Sequence, residues 1–212
     1  MAKEIYIVRH GETEYNRQGI VQGRGVDSNL NEKGTAQGNA FYEHYQNLDF
    51  DAIYVSNQKR THQTVARFAD QQGYDLQRFT ELDEISWGSQ EGKKPSKERS
   101  VTYRKVVADW QNGIFDISVE DGETPLEVQN RLKIFLTHLQ KQKQAKVLIC
   151  THGRTARILI CTLLERSLTN MQQYTHQNTG LSKLTQKANG AYRLDKVGNL
   201  DHLPLDLRKD HH

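Results

Sequence analysis

The sequence predicts an α/β fold with a mainly parallel sheet and helices on both of its faces. Three observations carry that prediction. Short β-branched runs recur along the chain, amphipathic stretches of helical period lie between them, and two of the runs end in the same signature. The first reads Ile7-Val8-Arg9-His10-Gly11-Glu12-Thr13 and the second Ile149-Cys150-Thr151-His152-Gly153-Arg154-Thr155. Each is an apolar run closed by x-His-Gly-x-Thr. Apolar runs of this kind predict buried strands. A glycine directly after each histidine allows a sharp turn and a close backbone approach to a ligand. Two imidazoles are therefore expected just past the ends of two interior strands, where open α/β sheets place their ligands.

The elements follow in order. Ile5 to Val8 predicts the first strand, and Gly34 to Leu48 a helix carrying Ala36, Ala40, Phe41, Tyr45 and Leu48 at helical spacing. Ala52 to Val55 predicts a second strand, with a helix from Gln58 to Ala69. Leu126 to Leu139 predicts a longer amphipathic helix, its Leu, Val and Phe positions opposed by Lys and Gln. Lys146 to Cys150 is the next strand, followed by a helix around Ala156 to Leu164. Leu181 to Thr185 and Ala191 to Leu194 read as late strands, with Asn189-Gly190 as the turn signal. Alternating strands and helices imply right-handed crossovers in a largely parallel sheet. The stretch from about 88 to 120 differs: it is polar, begins with Lys93, Lys94, Lys97, Arg99, Arg104 and Lys105, and is edged by Trp87 and Trp110. It is expected to be a cap-like insertion over the active edge of a single domain spanning 1–212.

A chain of 212 residues suits one domain with a full core. A formal net charge of +3 is too small to argue for nucleic acid, and no apolar stretch reaches bilayer length. Neither a nucleic-acid partner nor a membrane is expected. Cys150 and Cys161 lie within apolar runs and predict buried, reduced thiols, while no spaced Cys/His set suggests structural zinc. With Met1-Ala2-Lys3-Glu4 leading straight into the first strand, no signal peptide is expected, and the protein is assigned to the cytoplasm. His211-His212 is given no function. The oligomeric state is left open, a dimer among the options.

The chemistry centres on the strand ends. Arg9 beside a buried strand end needs an anionic partner, and a carboxylate or a bound phosphate would serve. Arg60 falls in the first turn of its helix, where a cation is tolerable if an anion binds between it and the helix amides. His152 adds a fourth basic group, and Arg157, five residues on, is not assigned to the pocket or away from it. The matching acid should come from Glu81, Asp83 or Glu84, and the residues alone do not choose. At about 4 Å, like charges repel by roughly 4 kcal/mol at an intermediate dielectric, so two Arg and two His cannot all be positive without an anion. His10 is accordingly expected to be neutral, with a ring lone pair available for attack.

Taken together, these motifs resemble the histidine phosphatase superfamily, which includes the cofactor-dependent phosphoglycerate mutases. Val8 to Asn16 is similar to its RHGE(T/S)xxN signature, Gly23-Arg24 through Gly34 to GRxDxPLxxxG, and Ser56 to Thr64 to SxxxRxxQT. Leu82-Asp83-Glu84-Ile85 with Gly88 and Glu91-Gly92 resembles LxEhxxGxxEG. Asp121 to Thr124, Thr151-His152-Gly153 and Asn178 to Leu181 are similar to the GGES, SHG and NTGL boxes. The resemblance is collinear along essentially the whole chain. It implies a three-layer α/β/α sandwich of phosphoglycerate mutase-like type. It also implies that His10 becomes phosphorylated, that Arg9, Arg60 and His152 clamp the phosphoryl oxygens, and that Asn16 assists. Glu84 would protonate the leaving oxygen, starting the step protonated, and Gln22, Gly23 and Gly153 would contribute backbone or amide contacts to substrate. Cations stabilise the equatorial oxygens of a loose transition state, so no metal or cofactor is expected.

The implied activity is hydrolysis of phosphate monoesters of small metabolites. A phosphoglycerate mutase-type transfer is the alternative, and a catalytically weak phospho-ligand binding module the second. The mutases carry a patterned insertion with paired arginines, whereas Gly92-Lys93-Lys94-Pro95-Ser96-Lys97 offers no such pair. The chain departs from the family pattern at Asn29, at Asn57-Gln58 and at Arg154, which follows the second His-Gly. Arg154 would add positive charge near the pocket mouth and so bears on the substrate. The basic stretch Lys93 to Lys105 reads either as a solvated cap surface or as a rim selecting multiply anionic substrates.

Overall fold

The computed structural model describes residues 2–208, so His211-His212 lies outside the described residues. The strands are β1 (Glu4–Arg9), β2 (Ala52–Val55), β3 (Leu76–Arg78), β4 (Lys146–Thr151), β5 (Leu181–Gln186) and β6 (Tyr192–Asn199). The helices are α1 (Glu14–Arg17), α2 (Glu32–Tyr45), α3 (Lys59–Gln72), α4 (Lys97–Gln111), α5 (Pro125–Lys141) and α6 (Gly153–Leu163). One six-stranded sheet runs in the order β3-β2-β4-β1-β5-β6. The pairs β1/β4, β2/β4 and β2/β3 are parallel, and β1/β5 and β5/β6 antiparallel. The two strands that end in His-Gly are therefore the central neighbours, registered Arg9 against Thr151.

Alternation along β1 separates the two faces. Ile5 and Ile7 join a core with α4, α5 and α6 residues including Trp110, Leu132, Phe135 and Leu159. Tyr6 and Val8 point into a second core with Phe41, Tyr42, Val65 and Phe68 of α2 and α3. The sheet is thus covered on both sides, giving the three-layer α/β/α arrangement.

Three differences from the expected elements have physical causes. β3 was not anticipated: it is an edge strand of three residues, Leu76-Gln77-Arg78, too short for a period-2 signal. The stretch from 88 to 120 contains α4, whose buried positions are only Val106 and Trp110, so a basic helix leaves little apolar pattern. Trp110 is nevertheless fully buried and its indole N–H donates to the Ile117 carbonyl at 2.9 Å, tying the segment into the core. Finally, α6 begins at Gly153, with His152 in the N-cap position, rather than three residues later.

Glycine is required where the first loop meets α2. A β-carbon on Gly34 would lie 2.0 Å from the Glu12 carbonyl oxygen, and one on Gly11 2.6 Å from that of Gly34. Both contacts are backbone against backbone, so the loop after β1 is pinned to α2 only because neither position carries a side chain.

Candidate active site

Parallel strands leave their loops at one end of the sheet, and β1, β2 and β4 there deliver His10, Ser56 and His152. His10 is 3% exposed. Its backbone N–H donates to the Thr151 carbonyl at 3.0 Å, and its own carbonyl accepts from the Asn178 amide at 3.0 Å. Thr179, held at φ 55, donates its N–H to the Arg9 carbonyl at 3.0 Å. A β-branched residue in the left-handed region is strained, which marks how firmly the end of β1 is fixed. His10 Nδ1 lies 2.7 Å from the Gly11 carbonyl. A carbonyl only accepts, so Nδ1 carries the proton and Nε2 keeps the lone pair.

His152 is held in the opposite tautomer. Arg60 Nε donates to its Nδ1 at 3.2 Å, leaving Nε2–H to donate to Ser56 Oγ at 2.8 Å. The two imidazole centroids are 5.1 Å apart. Burial, with Arg60 next, holds both rings well below the ordinary histidine value, and Arg9 adds to the effect. Both are neutral at physiological pH. Burial also brings Arg60 down to about 10.

The candidate acids differ in direction. Asp83 accepts the Asn57 N–H at 2.8 Å and faces Arg24 at 3.4 Å. Glu84 instead lines a cavity of about 290 Å³ that also exposes His10 and Arg9. Its Oε1 accepts from the N–H groups of Ile85 and Thr155, each at 3.0 Å, and from Thr155 Oγ at 3.1 Å. Its Oε2 accepts from Arg154 N at 3.2 Å. The carboxyl group therefore sits on the N-terminus of α6, where its oxygens satisfy orphan amides of the first turn.

Of the residues singled out from sequence, Arg9, His10, Asn16, Gln22, Glu84 and Gly153 line this cavity. Arg60, His152 and Gly23 do not. They form a layer behind it, where Arg60 donates to the Val26 carbonyl at 2.6 Å and the Gly23 carbonyl at 3.4 Å as well as to His152. A β-carbon on Gly153 would lie 3.5 Å from Arg9 Nε, and the Arg9 guanidinium donates to the His176 carbonyl at 2.9 Å. The repeated threonines each position a lining residue: Thr13 Oγ accepts from Gln22 at 2.7 Å and caps Asn16, while Thr155 holds Glu84. That repetition was visible in the sequence, but the partners were not. Tyr103, Arg154 and Arg157 also line the cavity. A single tyrosine on a basic helix gives no sequence signal that it turns inward. Lys93, Arg99 and Arg104 line an adjoining cavity of about 360 Å³ that shares Gly19, Val21 and Tyr103 with the first.

Buried neutral histidines have a consequence for stability. The folded values of His10 and His152 are depressed, and those of His176 and His202 are held at about 4, in each case chiefly by burial. The unfolded chain thus binds more protons below about pH 6.5, and stability rises with pH through that window. Lowering the pH from about 7 to about 5 is expected to reduce Tm by roughly 5 °C or more. A thermal scan in phosphate-free buffer checks this, and a flat Tm would contradict it.

A neutral imidazole faced by a guanidinium and a carboxylate, at the carboxyl ends of central parallel strands, defines a site for phosphoryl chemistry. A profile of the histidine phosphatase superfamily, branch 1, matches residues 5–199, and the chain belongs to that superfamily. It is 26% identical to phosphoserine phosphatase 1 of Hydrogenobacter thermophilus over 212 residues, covering 97% of this chain and 98% of that protein. It is also 26% identical over 207 residues to a protein of an Enterobacter species named probable phosphoglycerate mutase GpmB, covering 94% of both. The solved structure of a mycobacterial glucosyl-3-phosphoglycerate phosphatase shares the fold, with TM-score 0.83 and 21% identity over 94% of this chain and 100% of that one.

Proposed function

We propose that this protein is a phosphomonoesterase that hydrolyses phosphate monoesters of small metabolites through a phosphohistidine on His10, without a metal or cofactor. One observation carries the reading. His10 is fixed neutral, with Nδ1 committed to Gly11 and Nε2 unprotonated, in a cavity it shares with Arg9 and Glu84. In the first step the Nε2 lone pair forms a bond to phosphorus as the ester P–O bond breaks, and Glu84 gives its proton to the departing oxygen. In the second, Glu84 takes a proton from water as its oxygen bonds to phosphorus. The P–N bond then breaks, its electron pair returns to Nε2, and inorganic phosphate leaves. Arg9, with Asn16, Gln22 and the Gly153 backbone, faces the phosphoryl oxygens, and Arg60 and His152 support them from behind.

Residues 1–212 act as one catalytic domain, and the 88–120 segment supplies Tyr103 to the cavity wall. Transfer back to bound product is the weaker reading, because the segment after Glu84 brings no Arg-Arg pair to hold it. The free, buried thiols of Cys150 and Cys161 support a reducing, cytoplasmic setting. Among the described residues no helix is long and apolar enough to cross a membrane.

The test is hydrolysis of p-nitrophenyl phosphate with and without EDTA, together with acid- and base-quenched samples of labelled enzyme. Chelator-insensitive turnover with an acid-labile, base-stable phosphoenzyme is the expected result. Activity that needs added metal would overturn the mechanism. Tight phosphate binding without turnover would favour the binding module.

A further inference from the structure

The cavity beside His10 holds more positive charge than one phosphoryl group engages. Arg154 and Arg157 both line it from the first turns of α6, the end of a helix that disfavours cations. Among the described residues neither is ion-paired to a carboxylate. Glu84, the acid lining the cavity, spends both oxygens on backbone amides and Thr155. Among the described residues Arg157 has one protein acceptor, Gln172 Oε1 at 2.7 Å, and its Nε and Gln172 Nε2 are buried donors without partners. Arg154 is fixed in place without being neutralised. Its guanidinium lies 5.7 and 5.4 Å from the ring centroids of Trp87 and Trp110, and Nη2 donates to the Tyr103 hydroxyl at 3.1 Å. Aromatic faces and a hydroxyl orient the planar fork and leave its charge available.

We propose that Arg154 and Arg157 form a subsite for a second anionic group, a carboxylate or a second phosphate, on the leaving-group part of the substrate. The proposal rests on the phosphatase reading, which places the scissile phosphate against His10 and Arg9. Uncompensated guanidinium groups and unpartnered donors in one wall are what a planar, multiply accepting anion satisfies. A singly charged ester would leave them unmatched, so the wall selects against it.

The experiment compares substrate pairs that differ by one anionic group: O-phosphoserine with phosphoethanolamine, and fructose 1,6-bisphosphate with fructose 6-phosphate. A preference in kcat/KM of at least about 30-fold for the more anionic member of one pair is expected, and which pair shows it identifies the anion. Arg157→Gln should reduce that preference to below about 3-fold, chiefly through KM, and Arg157→Lys should restore part of it. Wild-type ratios within about 3-fold for both pairs, or an equal loss on both members of a pair in Arg157→Gln, would overturn the subsite. Calorimetric titration of His10→Ala with the same four compounds reads the preference without turnover. A binding preference with no wild-type hydrolysis would sink the phosphatase reading and leave the subsite standing.

Discussion

His10→Ala is expected to lower kcat by roughly 10³-fold or more and to leave no labelled phosphoenzyme after quenching. The reason is that the covalent step has one candidate donor. His152, the other imidazole, points Nδ1 at Arg60 and Nε2 at Ser56, so neither nitrogen offers a lone pair to the cavity. The substitution should not unfold the chain. The backbone of residue 10 keeps its bonds to Thr151 and Asn178, and the lost volume opens onto a polar, open cavity rather than an apolar core. Initial rates, a quench experiment and a Tm measured on the same sample separate a chemical loss from a structural one. Hydrolysis at the wild-type rate would remove His10 from the mechanism.

The second large effect is expected at Glu84, and it should depend on the leaving group. Glu84→Gln keeps one oxygen to accept from the amides of Ile85 and Thr155 but sets an NH2 group against the Arg154 N–H. A Tm measured on the same sample therefore separates any loosening of the wall from the chemical loss. The substitution removes the transferable proton. Loss of a general acid costs about 10² to 10⁴ in rate when the departing alkoxide needs protonation. A nitrophenolate leaves readily without it. The loss should therefore approach the upper figure for alkyl phosphates and fall well below it for p-nitrophenyl phosphate. A leaving-group series of alkyl and aryl esters supplies the measurement. Equal losses across the series would show that Glu84 holds the wall and does not carry the proton.

Much of the architecture could be read directly, and the reason lies in burial. The runs at 5–8, 52–55 and 147–150 become fully covered strands, and a strand covered on both faces must be apolar throughout. The α5 stretch kept its period because Val128, Leu132, Phe135 and Leu139 all enter one core. Where burial is sparse the signal fades. α4 hides two core residues within a basic sequence, and β3 is too brief to show any period. The start of α6 escaped for another reason: its N-terminal amides are capped by Glu84, about 70 residues earlier in the chain, instead of by a local side chain. No local pattern reports a cap supplied from so far away.

The sequence by itself determined the family and most of the order of strands and helices, β3 and α4 excepted, and it singled out the two histidines, because each depends on residue type and near-neighbour spacing. Only the tertiary structure decided which of three acids faces the cavity, which imidazole keeps a free lone pair, and that Arg60 and His152 stand behind the pocket while Arg154 and Arg157 line it. Those distinctions are matters of direction and partner. A side chain's direction is set by the elements packed around it, and its protonation by the water and charge they exclude or supply, which separate segments of the chain contribute only once they meet.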